Sequence, residues 1–275
     1  MKKFDNIMIA SDLDGTFFSS ARGEVARNIE KIRYFIDNGG LFTFSTGRIY
    51  PHVLSCAPNS PSYVNCPIVS CNGMCLYDLS SGKALREQFA DSDLIADVTD
   101  FVYERYPSIA FRGVGRDGII TFQPENSFIK TEIELKIGPT FIVERKDFGE
   151  NKFHKLTLRD KPEVLTRVKD EIAERFPDKF NLCYSEPTLL EVQPFGVSKA
   201  DMLAELRDMM CEGGKKRILY AVGDYGNDVE MLKMADVAVC PSNALDEIKE
   251  ICDLCLCSND QGVIADLIEY IEAKI

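Results

Sequence analysis

Two aspartates lie two residues apart, directly after an apolar stretch near the amino terminus. The stretch Ile7–Ala10 is followed, after one serine, by the segment Asp12-Leu13-Asp14-Gly15-Thr16. Residues two apart in an extended chain face the same way, so both carboxylates can point into one crevice. Two close carboxylates repel each other, and a cation or a shared proton relieves that repulsion. We therefore expect a metal ion beside Asp12 and Asp14.

Three further polar segments carry groups that suit phosphate or metal binding. Ser45-Thr46-Gly47-Arg48 supplies a hydroxyl group and backbone amides at a helix start, which suits phosphate oxygens. Ser198-Lys199 opens another helix, and the ammonium group of Lys199 can neutralise an anion. Gly223-Asp224-Tyr225-Gly226-Asn227-Asp228 adds two carboxylates and an amide, the hard oxygen ligands that magnesium prefers. The four segments have complementary chemistry.

Each segment alone also has an ordinary structural explanation. An Asp-x-Asp or a Gly-Asp after a strand is common in turns and helix caps, and a single lysine at a helix start is usually solvated. The four segments, however, each follow an apolar strand or open a helix. In open parallel α/β sheets, ligands bind beyond the carboxyl ends of the strands. The complete set therefore favours one shared site for phosphate and metal.

Apolar periodicity at both ends of the chain predicts alternating strands and helices. This βαβ order predicts a parallel sheet with helices on its faces. The predicted strands are Ile7–Ser11, Leu41–Ser45, Pro67–Cys71, Arg217–Val222 and Val237–Cys240. The predicted helices are Glu24–Asp37, one following Arg48, Ser198–Cys211, Asn227–Ala235, Ala244–Cys252 and Val263–Ile271.

The middle of the chain has a different pattern. Predicted strands at 109–114 and 119–123 form a hairpin, 153–158 reads as a strand, and 181–184 pairs with 189–192, with helices at 91–106 and 163–176. Hairpins with two helices predict an α+β insertion that has an antiparallel sheet. The expected organisation is an α/β core of residues 1–81 and 194–275, interrupted by an inserted domain of residues 82–193.

Charge and hydropathy exclude several classes of protein. The 275 residues have a formal net charge of −12, from 44 acidic and 32 basic residues, which disfavours nucleic acid or an anionic membrane as partner. No apolar run approaches the roughly 20 residues that cross a bilayer. The amino terminus does not resemble an export signal, so a cytoplasmic, reduced protein is expected. No feature of the sequence sets an oligomeric state.

Ten cysteines raise the question of a metal or disulfide framework. Two groups stand out, Cys71-x3-Cys75 and Cys252-x2-Cys255-x-Cys257. A structural zinc site usually has four ligands in two paired clusters, and the second group has no histidine or second cysteine pair near it in sequence. These cysteines are therefore predicted to be small buried apolar residues.

The four polar segments together resemble the haloacid dehalogenase (HAD) superfamily, and in particular its Cof-type phosphatase branch. The matching motifs are DLDGT at 12–16, STGR at 45–48, GVSK at 196–199 and GDYGND at 223–228. The resemblance covers the whole predicted core, and the insertion falls where that branch places its cap. It implies a HAD-like Rossmannoid core with a parallel sheet and an inserted α+β cap.

The resemblance also implies a role for each motif residue. Asp12 would be the nucleophile that takes up the phosphoryl group, and Asp14 the general acid and base. Mg²⁺ would be bound by the Asp12 carboxylate, the Asp14 main-chain carbonyl and Asp224. The remaining assignments are Asp228 as an outer or water-mediated metal ligand, Asn227 as a hydrogen-bond partner in the substrate site, and Thr46, Gly47, Arg48 and Lys199 around the phosphate.

The implied function is a Mg²⁺-dependent phosphatase of small phosphorylated metabolites, sugar phosphates in the first place. The alternatives are a phosphomutase of the same superfamily and a non-catalytic sensor of a phosphorylated ligand. Dehalogenases lack the second aspartate, so Asp14 favours phosphoryl transfer over cleavage of a carbon–halogen bond. Five basic residues of the cap are candidates for reading the leaving group, with solvated surface charge as the alternative for each: Arg112, Arg116, Lys152, His154 and Lys155.

Overall fold

The chain folds into two compact units. The computed structural model describes residues 2–134, 138–211 and 216–275. The first unit comprises the chain up to Glu87 together with Ser198–Ile275, and the second comprises Gln88–Val197. The domain limits expected at 82 and 193 remain a prediction. In the structure the boundaries between the two units lie a few residues beyond these limits, after Glu87 and after Val197. The first boundary is later because the strand Lys83–Glu87 pairs within the first unit.

The strands are short and are distributed over both units. In chain order they are β1 Ile7–Ser11, β2 Leu41–Phe44, β3 Ile68–Ser70, β4 Cys75–Asp78, β5 Lys83–Glu87, β6 Ala110–Val114, β7 Ile119–Thr121, β8 Thr140–Ile142, β9 Lys155–Arg159, β10 Phe180–Glu186, β11 Leu189–Pro194, β12 Ile218–Val222, β13 Val237–Pro241 and β14 Leu254–Leu256.

The helices alternate with these strands. In chain order they are α1 Ala26–Asp37, α2 Tyr50–Cys56, α3 Ser92–Arg105, α4 Ser127–Glu134, α5 Arg145–Phe148, α6 Pro162–Arg175, α7 Lys199–Met209, α8 Val229–Met234, α9 Asp246–Lys249 and α10 Val263–Glu272. Short helical turns lie at Leu13–Phe17, Ser60–Ser62, Cys71–Gly73, Gly226–Asp228 and Asn259–Gln261.

The main sheet of the first unit is parallel. Its described strands follow the order β14-β13-β12-β1-β2, and every neighbouring pair is parallel. Ser11 is aligned with Val222 on one side and with Phe44 on the other. The three strands therefore end level, and the polar segments that follow them emerge at one edge of the sheet. This confirms the predicted α/β class with a parallel sheet.

Successive side chains of β1 point to opposite faces of the sheet and so pack in two different hydrophobic clusters. Ile7 and Ile9 pack on the face covered by α1 and α10, and Met8 and Ala10 on the face covered by α7 and α8. All four are buried to at least 98%. Strands covered on both faces are continuously apolar, which is why β1 and β12 could be recognised from the sequence.

A second, smaller sheet of the first unit differs from the prediction. The segment expected to be the third parallel strand forms β3, which pairs antiparallel with β4, and β4 pairs antiparallel with β5. β3 lies beside β2 of the main sheet, where a parallel bridge joins Ser45 to Val69. The apolar pattern predicted the strand correctly but does not specify the direction of its partner.

The second unit contains the predicted antiparallel sheet. Its described strands follow the order β10-β11-β9-β6-β7-β8, with every pair antiparallel except β7 and β8, which are parallel. One face of the sheet packs against α3 and α6 in a cluster that includes Phe111, Leu158 and Leu190. This separate sheet confirms the α+β character expected for the insertion. Strand β8 and helices α4 and α5 were not predicted.

Candidate active site

The loop after β1 brings Asp12 into a buried position at the edge of the main sheet. The Asp12 amide donates to the carbonyl of Val222 at 2.9 Å, which continues the pairing of β1 with β12. The chain then turns through Leu13–Phe17, where Gly15 has φ of 77°. A Cβ atom at Gly15 would lie 2.3 Å from Asp224 Oδ2, so only glycine allows the two loops to approach this closely.

Lys199 connects two of the carboxylates in this pocket. It is the first residue of α7, and its Nζ donates to Asp12 Oδ1 and to Asp228 Oδ1, each at 2.6 Å. Its side chain is completely buried. Burial by itself would lower the pKa of Lys199, but the two carboxylates outweigh it and raise that pKa above its usual value. Lys199 therefore remains an ammonium group.

The loop after β12 supplies the other carboxylates. Thr16 Oγ1 donates to Asp224 Oδ1 at 2.6 Å. The amides of Asp224 and Tyr225 donate to Asp228 Oδ2 at 3.0 and 3.2 Å, which fixes the Asp228 carboxylate at the start of the helical turn. One oxygen each of Asp12, Asp224 and Asp228 lies within 4.8 Å of the others. Residues more than 200 positions apart thus converge on one pocket.

The pocket has the charge and the donor atoms that a divalent cation requires. Three carboxylates face one ammonium group, which leaves a formal charge of −2. Burial raises the pKa of Asp12, and burial together with Asp228 raises the pKa of Asp224 to about 7. In both cases burial and the neighbouring carboxylates outweigh the opposing effect of Lys199 on the pKa, so the negative charge of the pocket is only partly compensated. Because carboxylate oxygens are hard ligands, these residues fit Mg²⁺.

Asp14 is oriented differently from Asp12. Its carboxylate forms a two-point ion pair with Arg48, with Oδ2 2.6 Å from Nε and Oδ1 2.7 Å from Nη2. The Asp14 side chain is 50% exposed. Burial would lower the pKa of Arg48, but the pair with Asp14 raises it. Arg48, predicted to bind substrate, therefore holds Asp14 in this structure.

The segment after β2 lies against the turn that follows β3. The amide of Thr46 donates to Val69, and the carbonyl of Thr46 accepts from the amide of Asn72, each at 2.9 Å. Thr46 is 1% exposed, and its Oγ1 accepts from the amide of Arg48 at 3.2 Å. Asn227 Nδ2 donates to Asn72 Oδ1 at 3.4 Å. Asn72 thus contacts two of the predicted site residues, Thr46 and Asn227, although sequence reasoning gave it no role.

Comparison with known proteins identifies the family. The family model of haloacid dehalogenase-like hydrolases matches residues 9–268, nearly the entire chain. The chain belongs to this family. The match covers the four polar segments and both units, so it agrees with the predicted Cof-type HAD membership.

Individual members of the HAD family resemble the chain over almost its full length. The 5-amino-6-(5-phospho-D-ribitylamino)uracil phosphatase YwtE of Bacillus subtilis is 25% identical, with 96% of this chain and 97% of that protein covered. A HAD/COF-like hydrolase from Plasmodium vivax has a TM-score of 0.85 at 21% identity, with 100% and 98% covered. The HAD subclass IIB sugar phosphatase BT4131 has a TM-score of 0.80 at 18% identity, with 96% and 98% covered.

These matches confirm the predicted branch and the predicted enzyme class, a phosphatase of the HAD family. The structural likenesses confirm the fold. In the described part of the chain, no helix combines the length and the apolar character needed to cross a bilayer. The cytoplasmic location and the roles of individual site residues stay predictions.

The five basic candidates in the HAD cap insertion have different surroundings. Arg112 Nε lies 2.9 Å from Glu132 Oε2, and Lys155 pairs with Glu191 where both side chains are almost fully buried. These two are not solvated surface charges. The other three surround the ring of Phe89: His154 stacks on it at 4.7 Å between centroids, and two cations lie 5.8 Å from its centre, Arg116 and Lys152.

Two asparagines to which sequence reasoning gave no role, Asn243 and Asn259, bind main-chain carbonyls of the turn after β1 in this HAD-family chain. Asn243 Nδ2 donates to the carbonyl of Gly15 at 2.8 Å, and Asn243 Oδ1 accepts from the amide of Asn259 at 2.9 Å. Asn259 Nδ2 in turn donates to the carbonyl of Phe18 at 2.9 Å. The turn that carries Asp14 is therefore held at its middle, through Gly15, and just beyond its last residue, through Phe18, by side chains from the carboxyl-terminal part of the chain.

Replacing Asn243 by alanine should lower kcat roughly threefold to tenfold, because one hydrogen bond that positions the turn is lost. KM should change less, since Asn243 contacts a main-chain carbonyl near Asp14. Steady-state kinetics with p-nitrophenyl phosphate measures both constants. Asn59→Ala is a matched control, because Asn59 is exposed and its side chain caps no helix. Equal kcat values in the two variants would contradict a positioning role.

Proposed function

We propose that this chain is a Mg²⁺-dependent phosphatase that hydrolyses small phosphorylated metabolites, sugar phosphates in the first place, with the phosphoryl group carried transiently on Asp12. The observation behind this proposal is the buried group formed by Asp12, Lys199, Asp224 and Asp228 at the edge of the parallel sheet. Such a group combines a nucleophile, a fixed ammonium ion and a set of hard oxygen donors.

The first step transfers the phosphoryl group to Asp12. Lys199 holds Asp12 Oδ1 at 2.6 Å and so restricts the orientation of the carboxylate. A carboxylate oxygen attacks phosphorus, the new O–P bond forms, and the bond from phosphorus to the leaving oxygen breaks. Asp14 donates a proton to that leaving alkoxide. The products of this step are the free alcohol and an aspartyl phosphate.

The second step returns Asp12 to its starting state. Asp14, now ionised, takes a proton from a water molecule as that water attacks phosphorus. The bond between Asp12 and phosphorus breaks, and inorganic phosphate is released. Because Arg48 binds both oxygens of Asp14, each proton transfer requires Asp14 to exchange at least part of this ion pair for a contact with the reacting oxygen.

Charge on the transferred group needs stabilisation in both steps. Asp12, Asp224 and the Asp14 main-chain carbonyl, with Asp228 beside them, would hold Mg²⁺, which would supply the positive charge that lets a carboxylate approach a phosphate. Thr46, the amide of Gly47 and Lys199 stabilise the equatorial oxygens of the transition state. Asn227 completes the substrate site through its contact with Asn72.

The names of the relatives support the proposed class of substrate. The Bacillus subtilis relative is named for a phosphorylated ribitylaminouracil, and BT4131 is named as a sugar phosphatase. Both names describe phosphomonoesters of small polyol or sugar compounds. We extend that class to this chain.

Phosphate release from a panel of phosphorylated metabolites, with and without Mg²⁺, tests the proposal. Turnover should require Mg²⁺ and should fall to background with EDTA, because the pocket carries uncompensated negative charge without the ion. Restoring Mg²⁺ should restore activity. Full turnover in EDTA would contradict the metal requirement. With a hexose 1-phosphate, free phosphate indicates a phosphatase and an isomerised sugar phosphate indicates the alternative mutase.

A further inference from the structure

The turn that follows β3, Cys71–Gly73, lies against the polar segment that follows β2. The amide of Cys71 donates to the carbonyl of Arg48 at 2.9 Å. The amide of Asn72 donates to the carbonyl of Thr46 at the same distance. The turn therefore fixes the main chain on both sides of the amide that is expected to bind phosphate.

Gly73 brings the same turn against the start of α7. A Cβ atom at this position would lie 2.0 Å from the carbonyl oxygen of Ser198, and Gly73 has φ of 97°. Glycine is the residue that combines this backbone conformation with so close an approach. Because Lys199 directly follows Ser198, the turn also packs against the segment that carries the buried ammonium group.

The two residues before Gly73 have an uncommon backbone conformation. Cys71 and Asn72 have φ of 54° and 52°, and both are buried. Among the other described non-glycine residues, positive φ occurs only at Arg22 and Asp178, which are exposed. Such conformations persist where the surrounding contacts impose them, and they cluster at functional sites. Since asparagine and glycine tolerate this conformation best, the backbone alone does not require the side chain of Asn72.

The carboxamide group of Asn72 joins the turn to the segment that follows β12. Asn72 is 1% exposed, and its Oδ1 accepts a long hydrogen bond from Asn227 Nδ2 at 3.4 Å. Asn227 is partly exposed, so this contact restricts the orientation of a carboxamide group that would otherwise turn more freely. Asn72 thus contacts Thr46 through its main chain and Asn227 through its side chain.

We propose that Asn72 is a positioning residue of the phosphate site, whose side chain orients Asn227 toward the phosphate group of the substrate. This role rests on the proposed phosphatase function, in which Thr46 and Asn227 belong to the substrate site. The substrate, the transition state and the product phosphate all make the same contact with Asn227. Loss of its orientation should therefore weaken the binding of substrate and of inorganic phosphate more than it slows the chemical steps.

Asn72→Gly isolates the side chain, because glycine adopts the backbone conformation of position 72 without strain. The KM for p-nitrophenyl phosphate and the inhibition constant of inorganic phosphate should each rise roughly threefold to tenfold, and kcat should change less than about twofold. Asp178→Gly is the matched control, because Asp178 has φ of 57° and is exposed. It should keep the wild-type constants. Thermal unfolding should show that both variants are folded.

A double-substitution cycle with Asn227→Ala separates positioning from a general structural effect. In Asn227→Ala the carboxamide of Asn72 has nothing left to orient, so adding Asn72→Gly should leave KM and the phosphate inhibition constant unchanged. Losses that multiply in the double variant would show that Asn72 acts independently of Asn227 and would overturn the proposal. A wild-type KM in Asn72→Gly, or failure of that variant to fold, would overturn it as well.

Calorimetric titration of the same four proteins, the wild type, both single variants and the double variant, with inorganic phosphate in Mg²⁺ measures binding without turnover. Wild-type protein that binds phosphate but releases none from any substrate would contradict the proposed function and leave the cycle readable from the dissociation constants. Turnover in the wild type with multiplying losses in the cycle would overturn the role of Asn72 alone. Absence of both turnover and phosphate binding in the wild type would contradict both.

Discussion

Asp12→Asn should reduce phosphatase turnover at least about a hundredfold, a loss of roughly 2.7 kcal/mol or more in transition-state stabilisation. The amide of asparagine has nearly the shape of the carboxylate but is not a competent nucleophile toward phosphorus. Lys199 can still donate to the amide oxygen, so the surrounding contacts should persist. The measurement is kcat for p-nitrophenyl phosphate in saturating Mg²⁺.

The same substitution should leave the thermal stability of the protein unchanged or raised. Burial raises the pKa of Asp12, so its ionised form is costly in the folded state, and its removal leaves two carboxylates facing Lys199 instead of three. Asp97→Asn, at an exposed position of α3, is the control for a lost carboxylate elsewhere. Wild-type activity in Asp12→Asn would remove Asp12 as nucleophile. A lost fold in that variant would show that the carboxylate is structural.

Asp14→Asn should slow hydrolysis of alkyl phosphates by on the order of a hundredfold or more, because neither proton transfer then has its acid or base. With p-nitrophenyl phosphate the first step should be affected much less, since p-nitrophenolate leaves as a stable anion without a proton. The second step still needs a base. Dephosphorylation of Asp12 should therefore become rate-limiting in this variant.

Rapid mixing of Asp14→Asn with p-nitrophenyl phosphate measures this difference. We expect a burst of p-nitrophenolate of about one equivalent per active site, followed by slow turnover. Asp97→Asn should follow the wild-type time course. Equal losses for the alkyl and aryl substrates, without a burst, would show that Asp14 does not act as the acid and base. Arg48 would then be its main partner in a purely structural ion pair.

The elements that hold the carboxylates could be predicted because local patterns specify them. β1 and β12 are short, continuously apolar runs that end in Asp or Gly-Asp, as expected for parallel strands buried on both faces. Because β1 and β12 are parallel and in register, their carboxyl ends lie side by side at the same edge of the sheet. The convergence of Asp12 and Asp224 was therefore accessible from the sequence before any distance was measured.

Other features depend on tertiary contacts that no local pattern records. The pairing of Asp14 with Arg48 depends on the path of the turn after β1, and Asn243 is a single exposed polar residue that reaches Gly15 from 228 positions away. The direction of β3 depends on its neighbour β4 and not on its own residues. Cysteine spacing similarly failed to show that Cys255, predicted to be buried, is exposed and is aligned with Cys240 of the adjacent strand.

The most direct test of phosphoryl transfer through Asp12 is recovery of the phosphoryl group on that residue. Asp14→Asn is mixed with p-nitrophenyl phosphate and Mg²⁺, quenched in acid during the slow phase, reduced with borohydride, and digested for mass spectrometry. Reduction converts an aspartyl phosphate to homoserine, so the peptide should carry homoserine at position 12. An unmodified Asp12 after a full burst, or a phosphoryl group on another residue, would contradict this mechanism.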